Sequence, residues 1–278
     1  MIVLGKFNTL EILRDTSVGL FLGDGDGTDI LLPNKYVPEQ WEIGDKLSVF
    51  CYLDHEERPV ATNIEPYVQR DCFALLRVVE VNAIGAFLDW GLEKHLLVPF
   101  KEQRSKMQEG QSYVVYCYLD ELTFRLVGSN KLDKFLDNSN AAFEAGDRVE
   151  ALVTRKSDLG WDVIVNNQFK GMVYENEVFK QIAVGDRMTA YVKQQREDHK
   201  LDISLQALGV AVLEPSAKQI LTILEAHKGF LPLHDKSDPQ EIKAYLEMSK
   251  KVFKKAIGTL YKNREIRIST DGIYLNQK

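Results

Sequence analysis

Apolar and polar positions alternate in short runs along the first three quarters of the chain, and similar runs recur. The segment SVFCYLDHEERPVATN, from Ser48, is matched by VVYCYLDELTFRLVGSN, from Val114, and a more divergent copy, AVGDRMTAYVKQQREDHKLDISL, begins at Ala183. In each copy an acidic turn separates two alternating runs. Alternation with a period of two residues, broken by polar turns, predicts paired β-strands.

A Gly-centred segment also recurs upstream of each copy. These segments contain Gly19, Gly85 and Gly160, and a turn and a second apolar run follow each of them. Each repeat therefore predicts about five short strands, which suits a small antiparallel barrel of the OB type. Closing the sheet removes its exposed edges. The three barrels are predicted over residues 1–66, 67–140 and 141–210.

Beyond Pro215 the apolar positions take the spacing of helices, which sets residues 211–278 apart as a fourth domain. The segment SAKQILTILEAHKG predicts a first helix, and a short extended piece follows it. A capping box at Asp238 begins a second helix, predicted to run through Met248. Asp271-Gly272 lies between two short apolar runs and predicts a hairpin.

A third helix, capped at Ser249, is the most informative element of this domain. Its apolar residues have the spacing of one buried face, and they are Phe253, Ala256, Ile257, Leu260 and Tyr261. Its lysines lie off that face, and no acidic residue occurs between Ser249 and Arg264. Together these elements predict a winged helix-turn-helix, in which such a helix usually meets nucleic acid. The predicted fold class is mainly β, with three OB barrels and an α+β C-terminal domain.

The repeats also carry a resemblance. The Gly-Ala-Phe-Leu segment at 85–88, the LLVP run after it and the turn that ends in Arg125 resemble an S1-type RNA-binding domain. Three such barrels followed by a winged helix resemble the bacterial CvfB (conserved virulence factor B) family across essentially the whole chain. The stretch from Leu231 to Lys262 is the most characteristic part. The resemblance implies a cytoplasmic RNA-binding protein that influences gene expression and has no enzymatic chemistry.

The charge is unevenly distributed along the chain. The 35 basic and 41 acidic side chains give a net charge of −6, which by itself argues against a nucleic-acid partner. By segment, the net charge is −7 over residues 1–66, −2 over 67–144, −1 over 145–211 and +4 over 212–278. Because phosphates supply much of the affinity for nucleic acids, the binding end is predicted to be C-terminal.

The S1 resemblance implies RNA contacts from two aromatic positions around the Gly, a His position and two polar positions of the turn, where bases stack and phosphates pair with cations. The first two barrels keep one aromatic residue and one cation each, a secondary platform of Phe21, Arg58, Phe87 and Arg125. The third barrel loses both aromatic residues of the pattern and gains a cation, so it is predicted to act through charge more than stacking. Its predicted RNA-binding residues are Arg155, Lys156, Lys170, Tyr174, Lys193, Arg196 and Lys200. Those of the C-terminal domain are Lys250, Lys251, Lys254, Lys255, Lys262, Arg264 and Arg267.

Several of these residues have a second, structural interpretation. Phe21 and Phe87 are as compatible with packing under a loop or between barrels as with RNA contact. Trp161 is predicted to face the core because its neighbour Asp162 then points outward. Gly258, within the basic helix, allows either close approach of a ligand backbone or tight packing against the hairpin. The lysines of that helix are also compatible with a solvated face.

The sequence does not predict membrane insertion, secretion, disulfide bonds, metal binding or catalysis. No stretch spans a bilayer, no signal peptide is recognised at the start, and three cysteines suit a reducing cytoplasm better than a disulfide scaffold. The Asp24–Asp29 segment departs from a calcium loop and is predicted to be a turn. Cys51 and Cys117 are predicted to be core residues. We expect no cofactor, no metal site and no catalytic site.

We therefore hypothesise a non-enzymatic protein that binds single-stranded RNA, with low sequence specificity, through the third barrel and the basic winged helix. Such binding would regulate gene expression after transcription, with the first two barrels as a spacer or docking arm. Two alternatives remain at this stage. One is a DNA-binding transcriptional regulator that uses the winged helix. The other is a scaffold that docks on the ribosome or on another protein, and no membrane partner is expected.

Overall fold

The computed structural model describes residues 1–175, 178, 181–206 and 215–276. Internal contacts divide the chain into two units, Met1–Leu205 and Gln206–Lys278. The three predicted barrels belong to the first unit, and the predicted winged helix belongs to the second. The predicted boundary at 210/211 lies outside the described residues.

Within the described residues, the first unit contains three closed five-stranded barrels, which confirms the predicted fold class. The strands of barrel 1 are β1 (Phe7–Thr16), β2 (Gly19–Gly23), β3 (Asp29–Pro33), β4 (Lys46–Leu53) and β5 (Pro59–Thr62). Those of barrel 2 are β6 (Cys72–Val81), β7 (Gly85–Asp89), β8 (Leu96–Pro99), β9 (Ser112–Asp120) and β10 (Arg125–Ser129). Those of barrel 3 are β11 (Arg148–Ser157), β12 (Gly160–Val165), β13 (Phe169–Tyr174), β14 (Arg187–Gln195) and β15 (Leu201–Ser204). Short 3-10 helices follow β3, β8 and β10, at Asn34–Tyr36, Phe100–Glu102 and Leu132–Phe135.

All three barrels follow the same path. In barrel 1 the strand order is β1-β2-β3-β5-β4, and β4 pairs back with β1 to close the sheet. The third and fifth strands pair in parallel, at Leu31 and Val60 in barrel 1. The first strand of each barrel has an irregularity at the same place, between Ile12/Arg14, Val78/Glu80 and Val153/Arg155. Such a bulge bends the strand, which allows one strand to pair with two neighbours around a small barrel.

The recurring glycines are explained by a close approach of the second and third strands. Gly19, Gly85 and Gly160 are paired with Pro33, Pro99 and Tyr174, respectively. A Cβ built on Gly19 would overlap the carbonyl oxygen of Leu32 and lie 2.9 Å from the Cα of Pro33. Gly85 and Gly160 meet the equivalent carbonyl oxygens in their own barrels. The absence of a side chain at these positions is therefore a requirement of the barrel.

Barrels 1 and 2 share a buried aromatic cluster. The rings of Phe50 and Tyr52, on β4, meet the Trp90 ring edge-on at centroid distances of 5.9 and 6.3 Å. All three side chains are buried in one cluster with the core residues of barrel 2. Buried aromatic contacts of this kind contribute both area and preferred geometry, so the two barrels are docked and not merely tethered.

Barrels 2 and 3 are joined by a second buried cluster and by hydrogen bonds. Phe73 packs with Leu152 and Ile164 across the boundary. The Asn167 side chain, at the β12–β13 turn, accepts a hydrogen bond from the Phe73 N–H at 3.1 Å and donates one to the Asp71 carbonyl at 2.9 Å. Satisfying these backbone groups from the neighbouring barrel fixes the register of the contact.

The second unit is a winged helix, as predicted. Its elements are α1 (Pro215–Ala226), β16 (Phe230–Leu231), α2 (Pro239–Leu246), α3 (Lys250–Lys262), β17 (Ile266–Ile268) and β18 (Ile273–Leu275). The capping box is present, because Asp238 accepts from the Gln240 N–H at 2.7 Å and Glu241 accepts from the Asp238 N–H. The prediction that α2 runs through Met248 is wrong by two residues, because Glu247 adopts a left-handed conformation that ends the helix.

One face of α3 forms the core of the winged helix. Phe253, Ala256, Ile257 and Leu260 are buried against α1, α2 and the hairpin. Ser249 caps the helix by accepting a hydrogen bond from the Val252 N–H at 3.3 Å. Tyr261, which the periodicity assigned to this face, is instead 58% exposed at the edge of the helix.

The close approach at the recurring glycines predicts the effect of a single methyl group. Gly19→Ala should lower the free energy of unfolding of the barrel unit by about 2 kcal/mol or more, because the new Cβ must displace the Leu32 carbonyl. Ser17→Ala, two residues away at an exposed turn position, is the matched control and should change it by less than about 0.5 kcal/mol. Denaturant unfolding measures both values, and equal stability of the two variants would contradict this explanation.

Candidate nucleic-acid interface

In barrel 1 the predicted platform residues are engaged with their own neighbours. The guanidinium of Arg14 lies over the Phe21 ring, 4.0 Å from its centroid. Arg58 contacts Asp54 at 2.7 Å and Glu56 at 2.9 Å. Arg14 therefore covers one face of the Phe21 ring, and the charge of Arg58 is neutralised by two carboxylates.

In barrel 2 the platform residues line a cavity of about 340 Å³ between barrels 1 and 2. Phe87 and Arg125 both contribute to its wall. Arg125 is bonded to Glu57, which projects from the β4–β5 turn of barrel 1. Lys94 contacts the same carboxylate at 3.6 Å and donates to the Asp54 carbonyl at 2.7 Å. The acidic turn of barrel 1 therefore contacts Arg125 of the platform and Lys94, a second cation that lines the same cavity.

In barrel 3 the fold brings five of the seven predicted residues into one cleft of about 640 Å³, here called the barrel 3 cleft. These five are Arg155, Lys170, Tyr174, Arg196 and Lys200. Leu159, which occupies the first aromatic position of the S1 pattern, is 63% exposed and also lines this cleft. Arg196 donates to the Tyr174 hydroxyl, and its guanidinium lies 5.8 Å from the centre of that ring.

Every Lys and Arg residue that lines the barrel 3 cleft forms an ion pair with an Asp side chain. The pairs are Arg155–Asp162, Lys170–Asp133 at 2.6 Å, Arg196–Asp202 at 3.0 Å and Lys200–Asp198 at 2.7 Å. The hydrogen bond to Asp202 raises the pKa of the Arg196 guanidinium, and the bond from Lys200 lowers the pKa of Asp198. A phosphate that binds here has to compete with these carboxylates for its cations.

The other two predicted residues of barrel 3 lie outside this cleft. Lys156 contacts Glu175 at 3.4 Å and lies over the Trp161 ring at 5.4 Å from its centroid. Lys193 is exposed on β14. Trp161 packs against the buried core of barrel 3, as predicted, but it is only partly buried. Asp162 is on the outward side of the strand, as predicted, yet it is 7% exposed because Arg155 covers it.

The lysines of α3 differ from those of barrel 3 in their partners. Lys251, Lys254 and Lys262 are exposed, and in the described part of the chain they form no ion pair. Lys255 is exposed as well, whereas Lys250 is half-buried and donates to the Lys236 carbonyl at 3.4 Å. The helix therefore presents a positive surface opposite its buried face.

Two further predicted cations lie beside Lys262 at the end of α3. Lys262, Arg264 and Arg267 line a cleft of about 440 Å³ with Tyr261, Ile266 and Asn276, here called the wing cleft. Its lining contains no acidic residue. Arg267 lies over the Tyr274 ring of the hairpin, with 4.8 Å between the guanidinium carbon and the ring centroid. The basic surface of the helix thus continues onto the hairpin.

Gly258 lies on the exposed side of α3, among the lysines. A Cβ built at this position meets no heavy atom within 4 Å, so packing against the hairpin does not explain the glycine. Glycine inside a helix costs roughly 1 kcal/mol relative to alanine. Packing within the winged helix therefore places no requirement for glycine at this position.

Other expectations concern chemistry and burial. Cys51 and Cys117 are buried, and burial raises the pKa of the Cys51 thiol to about 12. Asp24 lies in the turn between β2 and β3. Among the described residues, no group of His, Cys, Asp or Glu side chains is placed to hold a metal ion. None of the described helices has the length and apolar character of a membrane span.

One basic region was not predicted from the sequence. Arg104, Lys131 and Lys134 line a cleft of about 750 Å³ between barrels 2 and 3, here called the junction cleft. These residues belong to no position of the S1 pattern. The only signal was the presence of two lysines shortly after the last strand of barrel 2.

Two family models match domains of this architecture. A family model for a CvfB-like winged helix domain matches residues 218–275, and one for an S1 domain matches residues 4–63. Both are domains of the nucleic-acid-binding type. A solved multidomain protein with nucleic acid binding domains, from Streptococcus pneumoniae TIGR4, is 27% identical, covers 98% of each chain and has a TM-score of 0.43.

Two relatives align along nearly the whole chain. The uncharacterized protein YitL of Bacillus subtilis (strain 168) is 30% identical over 273 residues, which cover 94% of this chain and 90% of the relative. Conserved virulence factor B of Staphylococcus epidermidis (strain ATCC 12228 / FDA PCI 1200) is 27% identical over 286 residues, which cover 99% of this chain and 96% of the relative. Three closed barrels, a CvfB-like winged helix and these full-length alignments show that the chain belongs to the CvfB family.

Proposed function

We propose that this protein binds single-stranded RNA without catalysing a reaction and thereby regulates gene expression after transcription. The observation that carries the proposal is the positive surface of α3, where Lys251, Lys254 and Lys262 are exposed and form no ion pair in the described ranges. Membership of a family built from S1 and winged-helix domains supports the same conclusion.

The electrostatic contribution to RNA affinity depends on which cations can contact a phosphate without first leaving a carboxylate. A lysine that contacts a phosphate releases condensed counterions, and this release drives much of the binding. Lys251, Lys254 and Lys262 gain this free energy without breaking an ion pair of the described residues. The barrel 3 cations, including Arg196 with Asp202, must exchange a carboxylate for a phosphate. We therefore assign the larger electrostatic contribution to the winged helix.

The barrel 3 cleft contributes surfaces for bases in this proposal. Leu159 is exposed beside it, and Tyr174 offers a ring that carries the Arg196 guanidinium. Aromatic rings and guanidinium planes are the surfaces on which unstacked RNA bases rest. Gly258 adds to the argument for α3, because a nucleic-acid backbone can approach the helix closely where no side chain intervenes.

Barrels 1 and 2 have a different role in the proposal. The platform of barrel 2 faces Glu57 and Asp54 of barrel 1, and residues 1–66 have a net charge of −7. The contact with Glu57 neutralises Arg125, and the net negative charge of residues 1–66 repels a polyanion. We assign these barrels to spacing or to docking on another macromolecule.

Removing the lysines of α3 tests the proposal. The triple variant Lys251→Ala/Lys254→Ala/Lys262→Ala should bind an unstructured RNA more weakly. The slope of log affinity against log salt should fall by about 2, at about 0.7 per lost phosphate contact on a single strand. Fluorescence anisotropy over a salt series measures both quantities.

The matched control removes the same charge from elsewhere in the winged helix. Lys218, Lys236 and Lys243 are exposed outside α3, and their replacement by Ala should leave affinity and slope close to those of the unmodified protein. If the two triple variants lose equal affinity, net charge and not the α3 surface is responsible, and the assignment is wrong.

A competition experiment tests RNA against DNA. An unstructured RNA should displace a labelled RNA at lower concentration than a DNA duplex of the same length at the same salt, because the bases of a single strand are open to stacking. Stronger displacement by the duplex would reject the RNA assignment in favour of a DNA-binding regulator.

A further inference from the structure

Two clefts of the barrel unit are adjacent to each other. The junction cleft and the barrel 3 cleft share four lining residues, which are Leu136, Arg155, Asp162 and Lys170. One cleft lies on the predicted binding face of barrel 3, and the other extends from it to barrel 2. A flexible strand that occupies the first cleft therefore reaches residues that also border the second.

The junction cleft is a preformed feature. Its wall includes the segment from Asn130 to Leu136, which leads from barrel 2 towards barrel 3. The Phe135 ring in this segment stacks on Tyr116 with 4.1 Å between centroids. The Asn130 side chain donates to the Val114 carbonyl at 2.8 Å. A wall held by stacking and hydrogen bonds keeps its shape in the absence of a ligand.

A buried carboxylate also anchors this wall. Glu102 is 6% exposed, accepts from the Ser129 hydroxyl at 2.7 Å and contacts Lys134 at 3.0 Å. Burial opposes ionisation of Glu102, but the bonds from Ser129 and Lys134 outweigh it and keep the pKa of the carboxyl below its usual value. Lys134 is therefore committed to the structure of the wall, and it is not counted as a ligand contact below.

The balance of charge distinguishes the two clefts. The barrel 3 cleft is lined by four Lys and Arg residues and four Asp residues, whereas the junction cleft has five Lys and Arg residues and two Asp residues. Three of the five, Lys134, Arg155 and Lys170, are in ion pairs. Arg104 and Lys131 form no ion pair within the described ranges, so two cations remain available.

We propose that the junction cleft is a second binding site for the phosphates of single-stranded RNA, with Arg104 and Lys131 as its contacts. The proposal rests on the proposed function and extends it from the face of barrel 3 to the side of barrel 2. The strand passes from the barrel 3 cleft along Arg155 and Lys170 to these two residues. The shared border of the two clefts supports this path, and the excess of cations supports the preference for a polyanion.

The chain offers a closely matched experiment. Lys101 and Lys106 are exposed, lie in the same part of barrel 2, form no ion pair in the described ranges and line neither cleft. The test variant is Arg104→Gln/Lys131→Gln, and the control is Lys101→Gln/Lys106→Gln. Both remove two positive charges and keep the aliphatic stems in part.

Binding of a uridine oligonucleotide of about 16 residues, the upper range for one OB fold, is measured on the full chain over a salt series. The test variant should bind several-fold more weakly, with the salt slope reduced by about 1.4 for two phosphate contacts. The control variant should retain the affinity and slope of the unmodified protein. Equal behaviour of the two double variants would overturn the assignment of the junction cleft.

The outcomes separate this inference from the proposed function. If the unmodified protein binds no RNA, the proposed function fails as a whole. If it binds RNA and depends on α3 but not on Arg104 and Lys131, only the junction cleft is rejected. Arg104→Gln alone, at an exposed position, should still weaken binding, and it decides the question if the half-buried Lys131 proves necessary for folding.

Discussion

The pairing of cations with carboxylates determines which surfaces of this protein can attract a polyanion. All four Lys and Arg residues of the barrel 3 cleft form an ion pair with an acidic side chain, and Arg125 of the barrel 2 platform and its neighbour Lys94 both contact Glu57 of barrel 1. Among the described residues, cations that form no ion pair include Lys251, Lys254 and Lys262 of α3 and Arg104 and Lys131 of the junction cleft. The net charge of −6 does not reveal this difference, because it does not distinguish cations in ion pairs from cations without one.

Docking of the barrels adds to the ion pairs that form within barrel 3. Trp90 packs against β4 of barrel 1, and the same contact brings the acidic turn at Glu57 over the platform of barrel 2. Phe73 packs against barrel 3, and the segment between those barrels forms the wall of the junction cleft. Three copies of one fold thus have different surfaces. Barrel 1 covers the platform of barrel 2, and the segment after barrel 2 adds a cleft beside barrel 3.

The architecture could be predicted from local patterns. The ion pairs between barrels could not. Strand alternation, the recurring Gly19, Gly85 and Gly160, and the capping box at Asp238 each act within a few residues, so the barrels and the winged helix follow from them. The contact between Arg125 and Glu57 joins residues 68 positions apart, and its existence depends on how two barrels dock. The same holds for the junction cleft, whose cations occupy no position of the S1 pattern. Sequence analysis therefore identified candidate cations but not which of them are neutralised.

Crosslinking of an unstructured RNA to the purified full chain, followed by mapping of the adducts, tests the central claim most directly. The account predicts adducts on α3 and the wing cleft, near Tyr261, and along the barrel 3 and junction clefts, near Tyr174 and Tyr113. Adducts confined to barrel 1 or to the cavity around Phe87 would contradict it, because those surfaces face carboxylates in this structure.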